Sequence, residues 1–290
     1  MQIVERVPSA DGSTIKYLQK TSTFIVETSY IRQDRKHIIC ISTQVGCGIR
    51  CQFCASGLRA DEAKYVRSLT PDEIVEQCLN VAREINFVNY PRPLLLSFMG
   101  EGEPFQNFGG FVSAAHLLDD MVWTTPLRLA VSTSGIKPDL IRLLGATSFV
   151  SPLKLQVSIH APNDNLRQQM IPVSRPLQEI VEATRAFREI SGRPVDLVYV
   201  LCHDFNDRRE HAEELVRLLG PGWHVKFNRL NLTPGTPFRP GSAEALRMFV
   251  SLCEANGITT EYYETNEGDV QSGCGQLSYK YDELSLPRPP

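Results

Sequence analysis

The feature that most constrains the fold of this 290-residue chain is a repeated alternation of short aliphatic segments with helical patterns. Six segments are rich in β-branched or aliphatic residues, as buried strands are. They are residues 38–43, 94–99, 127–133, 153–159, 195–201 and 224–230. Six strand–helix repeats predict an α/β fold with a parallel sheet and right-handed crossovers. The sheet is either a partial or complete barrel or an open doubly wound sheet.

Local signals mark several helices and two further strands. The stretch Thr70-Pro71-Asp72-Glu73 predicts a capping box with proline at the first helical position. Two more helices are predicted at about 207–219 and about 242–255, each followed by a glycine-containing stop signal. Residues 14–18 and 24–29 predict antiparallel strands ahead of the repeats.

These patterns divide the chain into three predicted parts. An N-terminal β extension covers residues 1–30, and the α/β core covers residues 31–278. The proline-rich tail, residues 279–290, is predicted to be disordered.

The composition fits an intracellular enzyme. A chain of this length with 42% hydrophobic residues can bury a large core. Its apolar runs are too short for a membrane helix, and the N-terminus lacks the pattern of a signal peptide, so we expect a cytoplasmic protein without a membrane partner. The net charge of −3 gives no general attraction to nucleic acid, so RNA binding requires a local basic patch.

The cysteines indicate metal or redox chemistry. Eight cysteines without a signal peptide argue against a disulfide scaffold. Cys47, Cys51 and Cys54 have the spacing C-x3-C-x2-C directly after the first core strand. Three thiolates on one loop can bind three irons of a cubane cluster and leave the fourth iron open, unlike the ferredoxin motif, in which every iron has a cysteine. Radical S-adenosylmethionine (SAM) enzymes bind and cleave SAM at such an open iron. The alternative is a four-cysteine zinc site that includes Cys40.

Three of the cysteines outside this loop can be placed from their local sequence. Cys78 and Cys253 lie on apolar helical faces and are predicted to be core residues. Cys202 is predicted to be a loop thiol.

Polar residues follow several of the predicted strands. In parallel α/β folds the chemistry lies at the carboxyl ends of the strands. Gly100-Glu101-Gly102-Glu103-Pro104 follows the second strand and offers a carboxylate and exposed backbone for an ammonium group. Ser132-Thr133-Ser134-Gly135 offers hydroxyls for a ribose or a carboxylate. The fourth strand leads into Ser158-Ile159-His160-Ala161-Pro162, and the sixth leads to Asn231.

Several of these stretches match the motifs of one enzyme family, in the family's order and from about residue 26 to residue 277. They are ICISTQVGC at 39–47, GEP at 102–104, VSTSG at 131–135, VSIHAPND at 157–164, Asn231 ahead of Pro234-Gly235, and GDVQSGCGQL at 268–277. On these stretches the chain resembles the RlmN/Cfr family of radical SAM methyltransferases, which methylate adenine in RNA. The resemblance implies a partial (β/α)6 radical SAM barrel with a small N-terminal antiparallel strand extension.

The resemblance also implies a role for each matching residue. Cys47, Cys51 and Cys54 correspond to ligands of one [4Fe-4S] cluster. The residues that correspond to the SAM site are Gly102, Glu103, Ser132, Ser158, Ile159, His160 and Asn231. Cys274 corresponds to the cysteine that carries a methyl group during turnover, and Cys40 to its resolving partner. Glu27 corresponds to the glutamate that accepts a proton.

The chemistry explains the two additional cysteines. The C2 and C8 carbons of adenine are electron-poor, so they cannot displace the methyl group of SAM directly. A thiolate such as that of Cys274 can. The resemblance implies that a radical from a second SAM then activates this methyl group, that Glu27 accepts the ring proton, and that Cys40 releases the product as a disulfide forms. The implied partners are RNA (ribosomal or transfer RNA), a flavodoxin-type electron donor and a thiol reductant.

Two features differ from the family pattern. Family members usually carry an additional N-terminal domain that helps to bind RNA, whereas 26 residues precede Glu27 here. Position 101 is a glutamate where the family usually has an apolar residue, which adds negative charge near the SAM pocket. Basic residues near the cysteine loop are the candidates for phosphate contacts; they are Arg35, Lys36, Arg50, Arg59, Lys64 and Arg67.

Three hypotheses about function follow. The first is a radical SAM methyltransferase that acts on adenine in RNA. The second keeps the cysteine-based mechanism but directs it to a small molecule or a nucleotide. The third is a non-catalytic iron–sulfur or zinc protein that binds RNA, against which the presence of Cys40, Cys274 and Glu27 argues.

Overall fold

The computed structural model describes residues 1–58, 67–85, 87, 92–264, 273 and 275–277. The first three strands are antiparallel: β1 (Gln2–Pro8), β2 (Thr14–Lys20) and β3 (Ile25–Arg32). The next strand, β4 (His37–Cys40), pairs antiparallel with β3 and parallel with the first strand of the following repeats. The N-terminal strands and the core therefore form one continuous sheet.

Six more strands extend this sheet in parallel. They are β7 (Leu94–Phe98), β8 (Leu127–Thr133), β9 (Leu153–Ser158), β10 (Val195–Leu201), β11 (His224–Arg229) and β12 (Thr259–Tyr263). The order of the ten strands is β1-β2-β3-β4-β7-β8-β9-β10-β11-β12. Two short strands, β5 (Gln44–Val45) and β6 (Arg67–Ser68), form a separate antiparallel pair.

Eight helices occur in the described part of the chain. They are α1 (Ala55–Leu58), α2 (Pro71–Glu84), α3 (Phe108–Asp119), α4 (Pro138–Ala146), α5 (Asp164–Met170), α6 (Leu177–Ser191), α7 (Arg209–Leu219) and α8 (Ala243–Ala255). None of the described helices is long and apolar enough to span a membrane.

The predicted α/β class with a partial barrel is confirmed. All six predicted core strands are present, and so are the helices predicted at the capping box, at 207–219 and at 242–255. The two edge strands β1 and β12 were not predicted, because neither contains a buried residue. Cys78 and Cys253 are buried in the core as predicted. Cys202 lies directly after β10, outside the named strands as predicted, and its side chain is fully buried.

The two faces of the parallel strands differ in chemistry. One face carries aliphatic and aromatic side chains that pack against the helices in the main hydrophobic core, such as Leu96, Val131, Leu155 and Phe227. Side chains alternate between the faces along a strand, so the intervening residues point to the concave side. That concave side is largely polar and lines the cavities described below.

Helix α2 connects the N-terminal strands to the start of the cysteine loop. Its capping box is formed as predicted, since the Thr70 hydroxyl accepts from the Glu73 amide and the Glu73 carboxylate accepts from the Thr70 amide. Buried Gln77 then pairs with the backbone of Ser42: its Nε2 donates to the Ser42 carbonyl at 2.9 Å and its Oε1 accepts from the Ser42 amide at 3.1 Å. The same Oε1 accepts from the Thr28 hydroxyl at 3.0 Å. One side chain therefore fixes the loop to β3.

Replacing Gln77 with Met tests this connection. The Gln77→Met variant keeps the length of the side chain but leaves the buried Ser42 amide and carbonyl without these partners. We expect the free energy of unfolding to fall by about 2–4 kcal/mol in urea titrations. The control is Gln178→Met, because Gln178 is exposed and bonds only to Glu182 on its own helix. Equal stability of the two variants would contradict the role assigned to Gln77.

Candidate active site

The cysteine loop begins where β4 ends and is held by the loop that follows β7. The Glu101 carbonyl accepts from the amides of Thr43 at 2.9 Å and Gln44 at 3.3 Å, and its carboxylate accepts from the Gly46 amide at 3.1 Å. Buried Glu101 thus supports the cysteine loop and is not among the residues that line the adjacent cavity. The charge of Glu101 was expected near the SAM pocket, but its carboxylate is bonded to the cysteine loop.

Gly102 allows the two loops to approach each other closely. Its φ is +99°, and a Cβ atom at this position would lie 2.5 Å from the Cβ of Gln44. Both the positive φ and the contact exclude a larger residue. The amide of the next residue, Glu103, donates to Gln44 Oε1 at 2.8 Å. The spacing of this turn therefore depends on glycine.

The structure places Cys47, Cys51 and Cys54 around one cavity of about 170 Å³. None of the three is in a disulfide. Burial raises the pKa of each thiol, and the charges of neighbouring cysteines raise the pKa values of Cys47 and Cys51 further. Thiolates that are desolvated and that repel one another need a positively charged partner. This donor set fits the iron atoms of a cluster, which would supply that charge.

The arrangement suits a multi-iron cluster better than a single ion. One zinc ion needs all its ligands within about 2.3 Å of a single point. Among the residues that the structure describes, no three His, Cys, Asp or Glu side chains are arranged to hold one metal ion. In a cubane cluster the three cysteines bind different irons, so their sulfur atoms lie farther apart. Cys40, the fourth ligand of the zinc alternative, does not line this cavity.

Most of the residues predicted for the SAM site line the same cavity. They are Gly102, Glu103, Ser132, Ser158, His160 and Asn231. The exception is Ile159, whose side chain is fully buried and is not part of the lining. The carboxyl ends of β7, β8, β9 and β11 therefore converge beside the three thiols, as expected for a parallel sheet.

The Glu103 carboxylate is already engaged by its own chain. Oε1 accepts from the Thr133 hydroxyl at 2.7 Å and the Phe105 amide at 3.0 Å. Oε2 accepts from the amide and the hydroxyl of Ser134, both at 2.8 Å. Burial raises the pKa of Glu103, although these donors oppose the shift. The Glu103 carboxylate therefore joins the loop after β7 to the end of β8. The backbone of the glycine loop, residues 100–104, is then the main partner left for an amino group.

His160 is held as a neutral imidazole. It has a left-handed backbone with φ of 52°, and its Nδ1 accepts from the Val200 amide at 3.2 Å. Burial, followed by the charge of Arg167, lowers the pKa of His160 to about 3. Because Nδ1 is the acceptor, the proton lies on Nε2. The ring packs edge-on against Phe53 of the cysteine loop, with 4.9 Å between the ring centroids.

Arg167 is a site residue that the sequence analysis missed. It is fully buried and donates to the carbonyls of Ser158 at 2.7 Å, Ile159 at 2.5 Å and Ser134. Burial lowers the pKa of Arg167 to about 10. It joins the ends of β8 and β9 and places a positive charge near the thiols. Its position in α5, directly after the motif at 157–164, was the available signal.

Glu27 and Cys40 lie on the same face of the sheet. Cys40 pairs with Ser29, which is two residues from Glu27 on β3, so all three side chains point to the concave side. Glu27 is buried and lies 3.5 Å from the Nζ of buried Lys16. Cys40 lines a second, larger cavity of about 1050 Å³, which shares Met99 and Gln156 with the cavity of the thiols.

Cys274 lies outside the described residues, but its neighbours are described. The Gly275 carbonyl accepts from the Ala55 amide at 2.7 Å, and the Leu277 carbonyl accepts from the Ser56 hydroxyl at 3.3 Å. Gly275 lines the cavity of the thiols, whereas Gly273 lines the larger cavity.

The candidate phosphate contacts do not form one group around the cysteine loop. Arg35 and Lys36 lie before β4, at the opposite end of that strand from the loop, and they line the larger cavity. Arg67 is bonded to Glu73 at 2.6 Å and 2.7 Å. Arg59 and Lys64 lie outside the described residues, and Arg50 is exposed on the loop itself.

The loop after the first parallel strand carries three cysteines, and a glycine-rich loop and strand ends with hydroxyl groups lie beside them. Together with the parallel α/β sheet, this site defines a radical SAM enzyme. Comparison with known proteins agrees with this class. Residues 41–219 match the family model of the radical SAM superfamily. A dual-specificity RNA methyltransferase RlmN from Anaeromyxobacter sp. (strain Fw109-5) is 36% identical over 281 residues, which cover 93% of this chain and 72% of the relative. A probable RlmN from Symbiobacterium thermophilum is 36% identical over 271 residues, with coverages of 91% and 71%.

Solved structures show the same relationship. The crystal structure of a radical SAM methyltransferase from Sphaerobacter thermophilus has a TM-score of 0.87 and 35% identity, and the match covers 96% of this chain and 81% of that one. A spore photoproduct lyase mutant, Y98F, has a TM-score of 0.57 at 14% identity, which is a similarity of fold alone. The chain belongs to the RlmN family of the radical SAM superfamily. Its cofactors are a [4Fe-4S] cluster and SAM.

The depressed pKa of His160 predicts a specific dependence of stability on pH. The unfolded state takes up this proton at the ordinary histidine pKa of 6.5, whereas the folded state does so only at a pKa of about 3. The stabilisation that neutral His160 contributes is therefore fully present above about pH 6.5 and is lost as the pH falls below that value. Between about pH 7.5 and about pH 5.5 we expect the unfolding free energy of the apoprotein to fall by about 1.4 kcal/mol from this group.

The variant His160→Asn isolates this effect, because asparagine tolerates the left-handed backbone and does not titrate. We expect the difference in unfolding free energy between the native chain and the variant to shrink by that amount on acidification. A difference that stays constant with pH would show that His160 is not held neutral.

Proposed function

We propose that this chain methylates a ring carbon of adenine, C2 or C8, in RNA, and that the methyl group passes through Cys274. Its relatives are named RNA methyltransferases, which supports RNA as the substrate. The observation that carries the cysteine mechanism is the position of Cys40. Its side chain shares the concave face with Glu27 and lines a cavity that adjoins that of the cluster thiols.

Cys274 is assigned as the methyl carrier. Its thiolate displaces the methyl group of one SAM molecule and becomes a thioether. The cluster and a second SAM supply, when bound, a radical that removes one hydrogen atom from this methyl group. The resulting carbon radical on Cys274 adds to the ring carbon, so the enzyme and the RNA become covalently joined.

Glu27 is assigned as the base that removes the proton from the ring carbon. The buried Lys16 ammonium lies 3.5 Å from its carboxylate and favours the ionised form, which a base requires. Burial also excludes water from the carboxylate, since Glu27 is 2% exposed. The ion pair with Lys16 therefore keeps the Glu27 carboxylate ionised, and it adds no second acidic side chain to the concave face.

Cys40 is assigned to product release. Its thiolate attacks the sulfur of Cys274, the bond from sulfur to the methylene carbon breaks, and that carbon takes up a proton to become the methyl group of the product. The product formed in this way still carries one excess electron. This electron balances the one that was consumed in cleaving SAM, and it returns to the electron donor. The Cys40–Cys274 disulfide is then reduced with two electrons by a thiol reductant. A flavodoxin-type donor and a cytoplasmic location suit this redox cycle.

The remaining assignments are based on which residues line the cavity of the three thiols. We assign Cys47, Cys51 and Cys54 to the cluster. Residues that line the same cavity are assigned to SAM, namely Gly102, Glu103, Ser132, Ser158, His160 and Asn231. Ile159 contributes through its backbone, because its carbonyl accepts from Arg167.

The function is tested by anaerobic reconstitution of the cluster, followed by an assay with methyl-labelled SAM and total RNA. We expect label in methyladenine after nuclease digestion with the native chain, and none with Cys274→Ala. The position of the label, C2 or C8, follows from chromatography against standards. Label that appears on Cys274 but never in RNA would redirect the mechanism to a small molecule or a nucleotide. A colourless, zinc-containing protein with unmodified Cys274 would refute the enzymatic assignment.

A trapped intermediate provides a second prediction. In Cys40→Ala the attack on Cys274 is lost, so the covalent adduct between enzyme and RNA should accumulate to nearly one per chain. Its amount is measured by denaturing electrophoresis of labelled RNA. The matched control is Cys78→Ala, because Cys78 is a buried core thiol on α2. Free methylated RNA from Cys40→Ala at the native rate would remove Cys40 from the mechanism.

A further inference from the structure

The concave side of the sheet is organised in layers that become more charged toward the amino-terminal ends of the strands. Interiors of (β/α) barrels are normally filled with branched apolar side chains. Here the uppermost layer includes Ser132 and Ser158 beside the cluster thiols, and the next layer includes Gln156 and Asn228. The lowest layer contains Arg128, Lys154, Asp196, Lys226 and Glu261 on the neighbouring strands β8 to β12.

These charged residues lie toward the amino-terminal end of each strand, but the ladders do not pair all of them directly. Lys226 of β11 pairs with Glu261 of β12, whereas Lys154 pairs with Ala130 and Asp196 pairs with Gln156. The turn between β3 and β4 brings two more cations to the same end of the sheet. Five cations line the larger cavity of about 1050 Å³: Arg35, Lys36, Arg128, Lys154 and Lys226. They belong to four separate parts of the sheet and converge only through its curvature.

The cations exceed the carboxylates that can neutralise them. Lys154 bonds to Asp196 at 2.6 Å, and Lys226 lies 4.0 Å from Glu261. Together with Asp34, which also lines the cavity, three carboxylates face five cations, so 5 − 3 leaves a net charge of +2. Within the described ranges, no carboxylate lies within ion-pair distance of Arg35, Lys36 or Arg128.

The cations are close enough to influence one another. Burial, followed by the charge of Lys226, lowers the pKa of Lys36. Glu261 opposes this shift, whereas Lys154 and Arg128 add to it. Lys36, Lys154 and Lys226 are half-buried, whereas Arg35 and Arg128 are exposed. Uncompensated cations that converge on one cavity favour an anionic ligand.

The position of the cavity indicates which anion this is. Cys40 lines the cavity, and Met99, Gln156, Asn228 and Leu277 line both this cavity and the cavity of the cluster thiols. A substrate base that reaches Cys40 therefore extends its backbone toward the cations. Asn228 lies at the junction, and its Oδ1 is buried without a hydrogen-bond partner among the described residues. Amide side chains recognise adenine through its N6 amine and N7.

We propose that the amino-terminal half of the concave face binds the phosphates of a single-stranded RNA segment, while Asn228 accepts a hydrogen bond from the N6 amine of the target adenine. This inference rests on the proposed function and names the residues that select its substrate. Single-stranded RNA is the form whose bases can leave their stack and enter such a cavity. A duplex is too wide to present one base to Cys40 in this way.

Binding measurements test the phosphate site. The reconstituted enzyme is titrated against a fluorescein-labelled RNA hairpin with one adenine in a single-stranded loop, at several salt concentrations. Arg128→Gln and Lys36→Gln are chosen because neither cation is in an ion pair within the described ranges, so neither variant leaves a buried carboxylate alone. We expect each to raise the Kd several-fold, and the double variant to lower the slope of log Kd against log salt by about 1.4, or about 0.7 per phosphate contact.

Two controls separate this site from general charge effects. The variant Arg142→Gln, Arg217→Gln removes two helical cations outside the cavity, of which Arg142 is half-buried and Arg217 exposed, and should leave the Kd and the slope nearly unchanged. The Kd for SAM, measured in the same preparations, should stay at the native value in the Arg128 and Lys36 variants. Because neither readout depends on turnover, they report binding alone.

The role of Asn228 is tested with a modified base. Replacing the loop adenine with purine, which lacks the N6 amine, should weaken binding to the native enzyme about 5-fold or more, as expected for a lost hydrogen bond at a buried acceptor. Binding to Asn228→Ala should not distinguish adenine from purine. Asn228→Asp keeps the acceptor and should retain the discrimination.

The outcomes are distinguishable. Native enzyme that binds and methylates RNA, together with unchanged Kd and salt slope in the Arg128 and Lys36 variants, would overturn the phosphate site alone. Discrimination against purine that persists in Asn228→Ala would overturn the role of Asn228. Native enzyme that neither binds nor methylates RNA would refute the proposed function and this inference with it.

Discussion

The site depends on the pairing of β4 with two different neighbours. Its antiparallel pairing with β3 places Glu27 and Cys40 on one face of the sheet, at a spacing that the ladder fixes. Its parallel pairing with β7 places the loop after Cys40 beside the glycine loop of residues 100–104. A shift of one residue in either register would turn these side chains to the opposite face. The N-terminal strands are thus part of the architecture of the proposed site.

Buried polar contacts convert this register into a defined cavity. Gln77 fixes the start of the cysteine loop, Glu101 supports its middle, and Glu103 joins the neighbouring loop to β8. Arg167 joins the ends of β8 and β9 through three carbonyl groups. Each contact satisfies backbone groups that would otherwise be buried without partners. These contacts therefore fix the irregular loops beside the three thiols to the ends of the strands.

Sequence patterns predicted much of this arrangement. Aliphatic runs located the six core strands, and the capping box located α2, because both signals are local. The spacing of the cysteines and the polar residues after the strands located the cavity. The features that the sequence did not predict depend on contacts between residues that are distant in the chain. The role of Gln77 depends on a partner 35 residues away in the chain, and the burial of Cys202 depends on packing at the end of β10. Arg35 and Lys36 were associated with the cysteine loop because they are near it in sequence, whereas β4 carries that loop to the opposite end of the sheet.

The central claim is that the transferred carbon passes through a methylene group on Cys274. The most direct measurement is the isotopic composition of the product after turnover with SAM that carries a CD3 group, once the methyl group already on the enzyme has been exchanged. Removal of one deuterium and later uptake of a solvent proton predict a CHD2 group in adenine and one deuterium in the 5′-deoxyadenosine formed. An intact CD3 group in adenine would show direct transfer from SAM and would contradict the account.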